Sequence, residues 1–306
     1  SWLEAAVLGA VLAPTDAALG QAVVSNPTVP VRVRQALNVE SGLNDGIVLP
    51  AVLVLATFAS MQAEPDAATG LARFALLQVT MGPLVGLIVA VLGNRLLRWS
   101  AARGWLEPTF ERLLGLALAL LAFACAEQVG GNGFIAAFVA GLTLGHLTRG
   151  RCEYLYTFLE AEGQLLILLV FLAFGANYAV AAAQSVSPAM LGYALLSLTV
   201  VRLLPVAISM IGSGLKLPTV LFLGWFGPRG LASILFGLLI VDQLALEHEA
   251  LIFDVVMVTV LASVVAHGLT AAPLAARYGS LASNAEACPE ENRSVHAHPL
   301  RRGNQT

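Results

Sequence analysis

The chain is short of charge and of cysteine, and both shortages narrow what it is. Charged residues make up 11% of the 306, where soluble domains carry about 25%. A hydrophobic share of 58% and a mean hydropathy of +0.81 fit a polytopic membrane protein instead. Lys and Arg number 16 against 19 Asp and Glu, for a formal net charge of −3. No basic face of the kind nucleic acid needs is present, so no nucleic-acid partner is expected. The three cysteines, Cys125, Cys152 and Cys288, are scattered, which excludes a disulfide framework and a cysteine metal centre. No cofactor is expected. Also missing are an initiator Met and the n-region of a signal peptide. The chain opens Ser-Trp-Leu-Glu and enters an apolar run almost at once, as a piece of a longer chain would.

What the chain has in quantity is long apolar runs. Taken at about 20 residues per crossing, they predict nine transmembrane helices near 3–24, 36–58, 72–93, 112–129, 132–148, 163–183, 189–212, 218–241 and 250–273. The expected fold is all-α. Residues 1–277 form the transmembrane domain, and a polar tail over 278–306 is expected to be disordered and cytoplasmic. Basic residues set the orientation. Thirteen fall in loops of one parity or in the tail, from Arg32 and Arg34 through Arg95, Arg98, Arg103 and Lys216 to Arg302, and one, Arg73, in the other loops. The richer side is cytoplasmic by the positive-inside rule. Arg202 and Arg229 fall inside spans.

Residues 36–50, Ala-Leu-Asn-Val-Glu-Ser-Gly-Leu-Asn-Asp-Gly-Ile-Val-Leu-Pro, set Glu40 and Asp45 at the head of an apolar run. An Asp at a helix centre costs roughly 2.5–3.5 kcal/mol on insertion scales, so such acids usually face a bundle interior or a water-filled cavity and are candidates for ion sites. The first span is interrupted at Ala13-Pro14-Thr15-Asp16. Pro14 removes a backbone donor and disfavours helix at Ala13. The freed carbonyls and the Thr15 hydroxyl could coordinate a cation, and Asp16 could ligate one or neutralise a half-helix N-terminus. A simple proline kink is the plainer alternative. The eighth span is interrupted at Gly227-Pro228-Arg229-Gly230. Two Gly/Pro-broken segments in separate parts of one chain point to an inverted-repeat secondary transporter.

Arg202, deep in the seventh span, needs an acid partner because an unpaired buried charge is costly; Glu40 is the expected one, which leaves Asp45 free to exchange ions. Glu127 and Asn132 are expected to be wetted at a span end, and Glu160, Glu162 and Gln164 to cap the sixth span. None of the five histidines is clearly mid-span. Gly82-Pro83-Leu84-Val85-Gly86 suits close helix packing.

Ala13-Pro14-Thr15-Asp16, Glu40-Ser41-Gly42-Leu43-Asn44-Asp45 and Gly227-Pro228-Arg229-Gly230 together resemble the sodium/proton exchanger family, in its NhaP/NHE-like branch of monovalent cation/proton antiporters. The resemblance implies two inverted repeats with crossed, broken helices, about four N-terminal spans preceding those seen here, a homodimer when full length, and a bacterial inner membrane with the C-terminus inside. By position, Asp45 resembles the essential ion- and proton-binding carboxylate and Asn44 the Asn of the Asn-Asp pair. Ser41, Thr15 and Asp16 resemble further cation ligands. Glu40 and Arg202 match a structural ion bridge, and Arg229 the arginine of the second broken helix. Pro228 departs from the pattern, because leucine is common there. The implied activity is electroneutral exchange of Na⁺, or alternatively Li⁺ or K⁺, for H⁺, the two competing at Asp45. A cation or proton channel, an inactive partial exchanger and an intramembrane aspartyl protease using Asp16 and Asp45 are the rival readings; no feature supports the last, and an enzyme is not expected.

Overall fold

The structure is a computed structural model and describes residues 1–16, 18–63, 68–105, 107–148, 153–243, 246–283 and 288–293. Those residues are helical or irregular, with no strand among them. Each expected apolar run falls on one helix or on a pair broken in the middle. The first is α1 (Trp2–Val11) and the short α2 (Gln21–Val24). Then come α3 (Val31–Ala63), α4 (Ala68–Ala102), α5 (Pro108–Gln128) and α6 (Gly133–Leu147). The sixth run is α7 (Glu153–Phe174), a π-helical turn (Gly175–Ala179) and α8 (Val180–Ser185). The seventh is α9 (Pro188–Leu198) and α10 (Val200–Ser209), and the eighth α11 (Leu217–Trp225) and α12 (Leu231–Gln243). The last is α13 (Glu249–Ala282). Among the described residues, five of these stretches are long and apolar enough to cross a membrane: Val31–Ser60, Leu76–Ala102, Gly163–Ser185, Pro188–Ser209 and Glu249–Ala282.

Local chemistry sets several boundaries. Pro108 and Pro188 open α5 and α9, where a missing N–H costs nothing. The Ser187 hydroxyl accepts from the Met190 N–H as the cap of α9. Asn132, expected to be wetted, is instead 2% exposed: its carbonyl Oδ1 accepts from the Ile135 N–H and caps α6. A buried helix start must find such an acceptor.

The chain divides into two compact units, one of Ser1–Val48 with Ile167–Thr306, the other of Leu49–Leu166. In the second unit, α4, α5 and α6 pack on one another. Its centre is Ala90, Ala122, Ala126, Ala136 and Ala140. Gly82, Gly86 and Ala90, four residues apart on α4, form a stripe of small side chains that lets α6 come close. In the first unit, Val33 and Leu37 of α3 pack with Phe222, Leu223 and Phe226 and with Ala271, Ala275 and Tyr278 of α13. The Phe222 and Tyr278 rings stack at 4.0 Å.

Tyr278, where the tail is expected to begin, lies inside a helix. The α13 helix continues to Ala282, and Tyr278 is buried within the first unit's core. Beyond it, residues 288–293 turn back onto the same unit. Glu290 pairs with Arg32 at 2.7 Å, and the buried Glu291 accepts from the Lys216 N–H (2.8 Å) and the Thr219 hydroxyl (2.9 Å) at the start of α11. These polar residues find backbone and charged partners that a composition count does not register. The rest of the tail, and the side chains of Glu160 and Glu162, lie outside the described residues, but α7 begins at Glu153, so Glu160, Glu162 and Gln164 sit within the helix and not at its cap as expected.

Candidate functional site

The two interrupted segments meet in the first unit. At the first break α1 stops at Val11, and the chain stays irregular through Pro14 and Thr15. At the second, Phe226 to Gly230 are irregular between α11 and α12. The Asp16 N–H donates to the Pro228 carbonyl at 2.7 Å, so the two breaks are joined backbone to backbone. Each then supplies the charge that the other's helix end lacks. The Arg229 guanidinium donates to the carbonyls of Ala13 (2.9 Å) and Pro14 (3.3 Å), just past the C-terminal end of α1. The Asp16 carboxylate accepts from the Leu231 N–H (3.0 Å) at the start of α12 and from the Ala18 N–H (2.8 Å). A cation at a helix C-terminus and an anion at a helix N-terminus are each stabilising, and backbone freed by a break must be satisfied within protein. Of the two roles foreseen for Asp16, the structure displays the neutralised helix N-terminus, and the helix is α12 of the partner break.

Glycine makes the approach possible. A Cβ on Gly230 would overlap the Asp16 carboxylate, lying 2.7 Å from its Cγ, and a Cβ on Gly227 would lie 2.6 Å from the Arg202 Cζ. Each acid and guanidinium occupies the space that a side chain would take.

Arg202 and Glu40 form the expected pair. It is bidentate: Nη1 donates to Oε1, and Nη2 to Oε2 at 2.8 Å, with the Leu223 carbonyl a further acceptor at 3.4 Å. The Arg202 side chain is 10% exposed and that of Glu40 29%. The fork of a guanidinium matches a carboxylate edge to edge, which a Lys cannot do. The seventh run is broken at Thr199, whose backbone (φ −111°, ψ −89°) is not helical. This break was not foreseen, and it sets Arg202 in the first turn of α10.

Ser41, one residue after Glu40 on α3, is buried and donates its hydroxyl to the Thr15 carbonyl at 2.5 Å. Thr15, Asp16, Ser41 and Pro228 line a cavity of about 10 Å³, closed by apolar residues including Leu37 and Phe226. That is about the room one water needs. Asp45 stands four residues, just over a helical turn, beyond Ser41 on neighbouring positions of the α3 surface. It is exposed and does not line this cavity. Among the described residues no hydrogen bond or ion pair engages its side chain. Asn44 is half-buried beside it. The structure thus gathers Thr15, Asp16, Glu40, Ser41, Arg202 and Arg229 by direct contact, with Asn44 and Asp45 on the next turn of α3.

Sequence reasoning missed two residues of α13. The Ser263 hydroxyl accepts from the Arg229 N–H at 2.7 Å. His267, 1% exposed, sets Nε2 2.9 Å from the Trp225 carbonyl and Nδ1 2.9 Å from that of Ser263. Ser263 and His267 hold the two ends of the second break. His267 lies within α13, inside the predicted last span, but nothing in its apolar neighbours singled it out.

A family described as sodium/hydrogen exchanger, transmembrane, matches residues 1–277. The chain is 27% identical over 299 residues to the K(+)/H(+) antiporter NhaP of Alkalimonas amylolytica, covering 97% of this chain and 50% of that protein. It is 31% identical over 175 residues to the K(+)/H(+) antiporter NhaP2 of Shewanella oneidensis, covering 55% of this chain and 29% of that protein. An uncharacterized Na(+)/H(+) exchanger of Escherichia coli, YjcE, is 30% identical over 145 residues, 46% of this chain and 26% of its own. The chain spans half or less of the length of these relatives. On the family match over its apolar helices, the chain belongs to the sodium/hydrogen exchanger family of multi-pass membrane cation/proton antiporters.

Proposed function

We propose that the chain carries the ion site of an antiporter that exchanges a monovalent cation for H⁺ by competition at Asp45. The observation that carries this reading is the division of labour among the acids. Glu40 is held by Arg202 and Asp16 by the backbone N–H groups of Ala18 and Leu231, which leaves Asp45, among the described residues, as the carboxylate of the group without a protein partner. A carboxylate can hold a proton or help hold a cation, and binding of either opposes the other. Ser41, the Thr15 carbonyl, Asp16 and the Asn44 amide add oxygen ligands near it, the type that hard cations take. Arg229 serves the crossing by countering the carbonyls of the first break. With a single titrating carboxylate beside Asn44, one cation exchanges for one proton and the cycle is electroneutral. Rocking of one bundle against another would then alternate access.

The similarity to proteins named K(+)/H(+) antiporters puts K⁺ beside Na⁺ as a candidate, with Li⁺ behind them. A bacterial inner membrane, a cytoplasmic C-terminus and a homodimer belong to the same reading. The test is flux in liposomes, with any residues that the gene encodes ahead of Ser1 included. A pH gradient is imposed, Na⁺, K⁺ or Li⁺ is added, and the membrane potential is clamped. The expected result is cation-dependent collapse of the gradient that Asp45→Asn abolishes and the clamp leaves unchanged. Flux that survives Asp45→Asn would remove the central carboxylate, and flux proportional to membrane potential would favour a channel.

A further inference from the structure

A cluster on the second unit lies outside the residues of the proposed ion site. At the C-terminal end of α4, Arg95, Arg98, Trp99, Arg103 and Trp105 are all exposed. The α4 helix ends in a paired-bond turn. The Gly104 N–H donates to the Ala101 carbonyl and the Trp105 N–H to that of Ser100, with Gly104 at φ +67°. This is the Schellman closure, which brings the residue after the glycine back onto the last helical turn. Trp105 thereby meets Trp99 edge to face at 5.1 Å, and the Arg103 guanidinium lies 3.9 Å from the Trp99 ring centroid and 5.3 Å from that of Trp105. The turn sets an arginine against two indoles, and all three residues are exposed. Among the described residues, none of the three arginines joins an ion pair or a side-chain hydrogen bond. The next acid in sequence, Glu107, is exposed and stands just before α5.

The same face of α4 continues inward as Leu84, Ile88, Leu92 and Leu96, each roughly half exposed and spaced by four. From Leu84 to Trp99 is about 22 Å at 1.5 Å per residue, so an apolar stripe long enough for an acyl chain ends in cations and indoles. Indoles favour the headgroup level of a bilayer, and guanidinium matches phosphate oxygens in bidentate fashion. We infer that the Arg95–Trp105 end of α4 is a binding site for an anionic phospholipid. Its phosphate would lie on Arg95, Arg98 and Arg103, and its acyl chain along the leucine stripe.

The test is native mass spectrometry of the purified chain in detergent with equal amounts of phosphatidylglycerol and phosphatidylcholine. Phosphatidylglycerol is expected to be retained preferentially. Each of Arg95→Gln, Arg98→Gln and Arg103→Gln is expected to lower its affinity about fivefold, the effect of one basic residue near an anionic surface. Arg73→Gln, at an exposed position elsewhere in the same unit, is expected to leave the preference intact. Equal retention of the two lipids, a triple variant that keeps the preference, or an equal loss with Arg73→Gln would each overturn the site. Displacement of the lipid by inorganic phosphate, at an ionic strength where chloride has no effect, would assign the cluster to a free anion and overturn it as well.

Discussion

Asp16, Glu40, Asp45, Arg202 and Arg229 are five charges in a protein with few, and the first unit settles four of them with one another or with backbone. The Arg202–Glu40 pair makes this measurable. Removing one member leaves the other charge in a poorly hydrated place, which costs about 3–5 kcal/mol for fully buried pairs; with the Glu40 side chain 29% exposed, the lower end applies here. Arg202→Ala is therefore expected to lower the melting temperature sharply. The double variant Arg202→Leu/Glu40→Leu should recover most of the loss. A thermal scan in detergent checks this, and an unchanged midpoint in Arg202→Ala would mean that the pair is not structural. These charges were the most legible part of the sequence, because an ionisable residue inside an apolar run is conspicuous by cost alone. Ser263 and His267 were not legible. A serine and a histidine are cheap enough in a helix to pass unnoticed, and their work is done through backbone atoms of Trp225 and Arg229 that no side-chain pattern reports.

At the scale of elements, proline and glycine carried the reading. Pro14 and Pro228 placed both interruptions, and the structure shows the breaks joined through the Asp16 N–H and the Pro228 carbonyl. The breaks at Thr199 and at the π-helical turn Gly175–Ala179 carry no comparable mark. The α11 half-helix shows how such an element is held at both ends. His267 meets its C-terminal carbonyl, and the tail's Glu291 accepts from Lys216 and Thr219 at its N-terminus. Burial opposes the charge on Glu291, but the Lys216 N–H, its own backbone, the Thr219 hydroxyl and the Lys216 charge outweigh it and hold the carboxyl below its usual range. A carboxyl lowered in the folded state adds stability at pH values above its unfolded pKa, about 4.3, and loses it as pH falls through the lowered value. Protection of the Lys216, Thr219 and Val220 amides, measured against their intrinsic exchange rates, is therefore expected to be high at neutral pH and to fall below about pH 4. Glu291→Gln should show fast exchange already at pH 7. Equal protection in the variant and the parent would show that the tail contact is idle.

For the whole molecule, the length of apolar runs located helices well, because bilayer thickness leaves few alternatives. It did not reveal the division into two units, which depends on which helices touch and not on how apolar each one is. The central claim is that a single carboxylate is contested by a proton and a cation. Its most direct test is equilibrium binding of radiolabelled Na⁺ and Rb⁺, the latter standing in for K⁺, to the purified protein over a range of pH. One-proton competition at Asp45 predicts that the apparent Kd rises about tenfold for each pH unit below the pKa of the site. It also predicts that Asp45→Asn loses both the affinity and the slope. A cation affinity independent of pH, or a slope that persists in Asp45→Asn, would contradict the account.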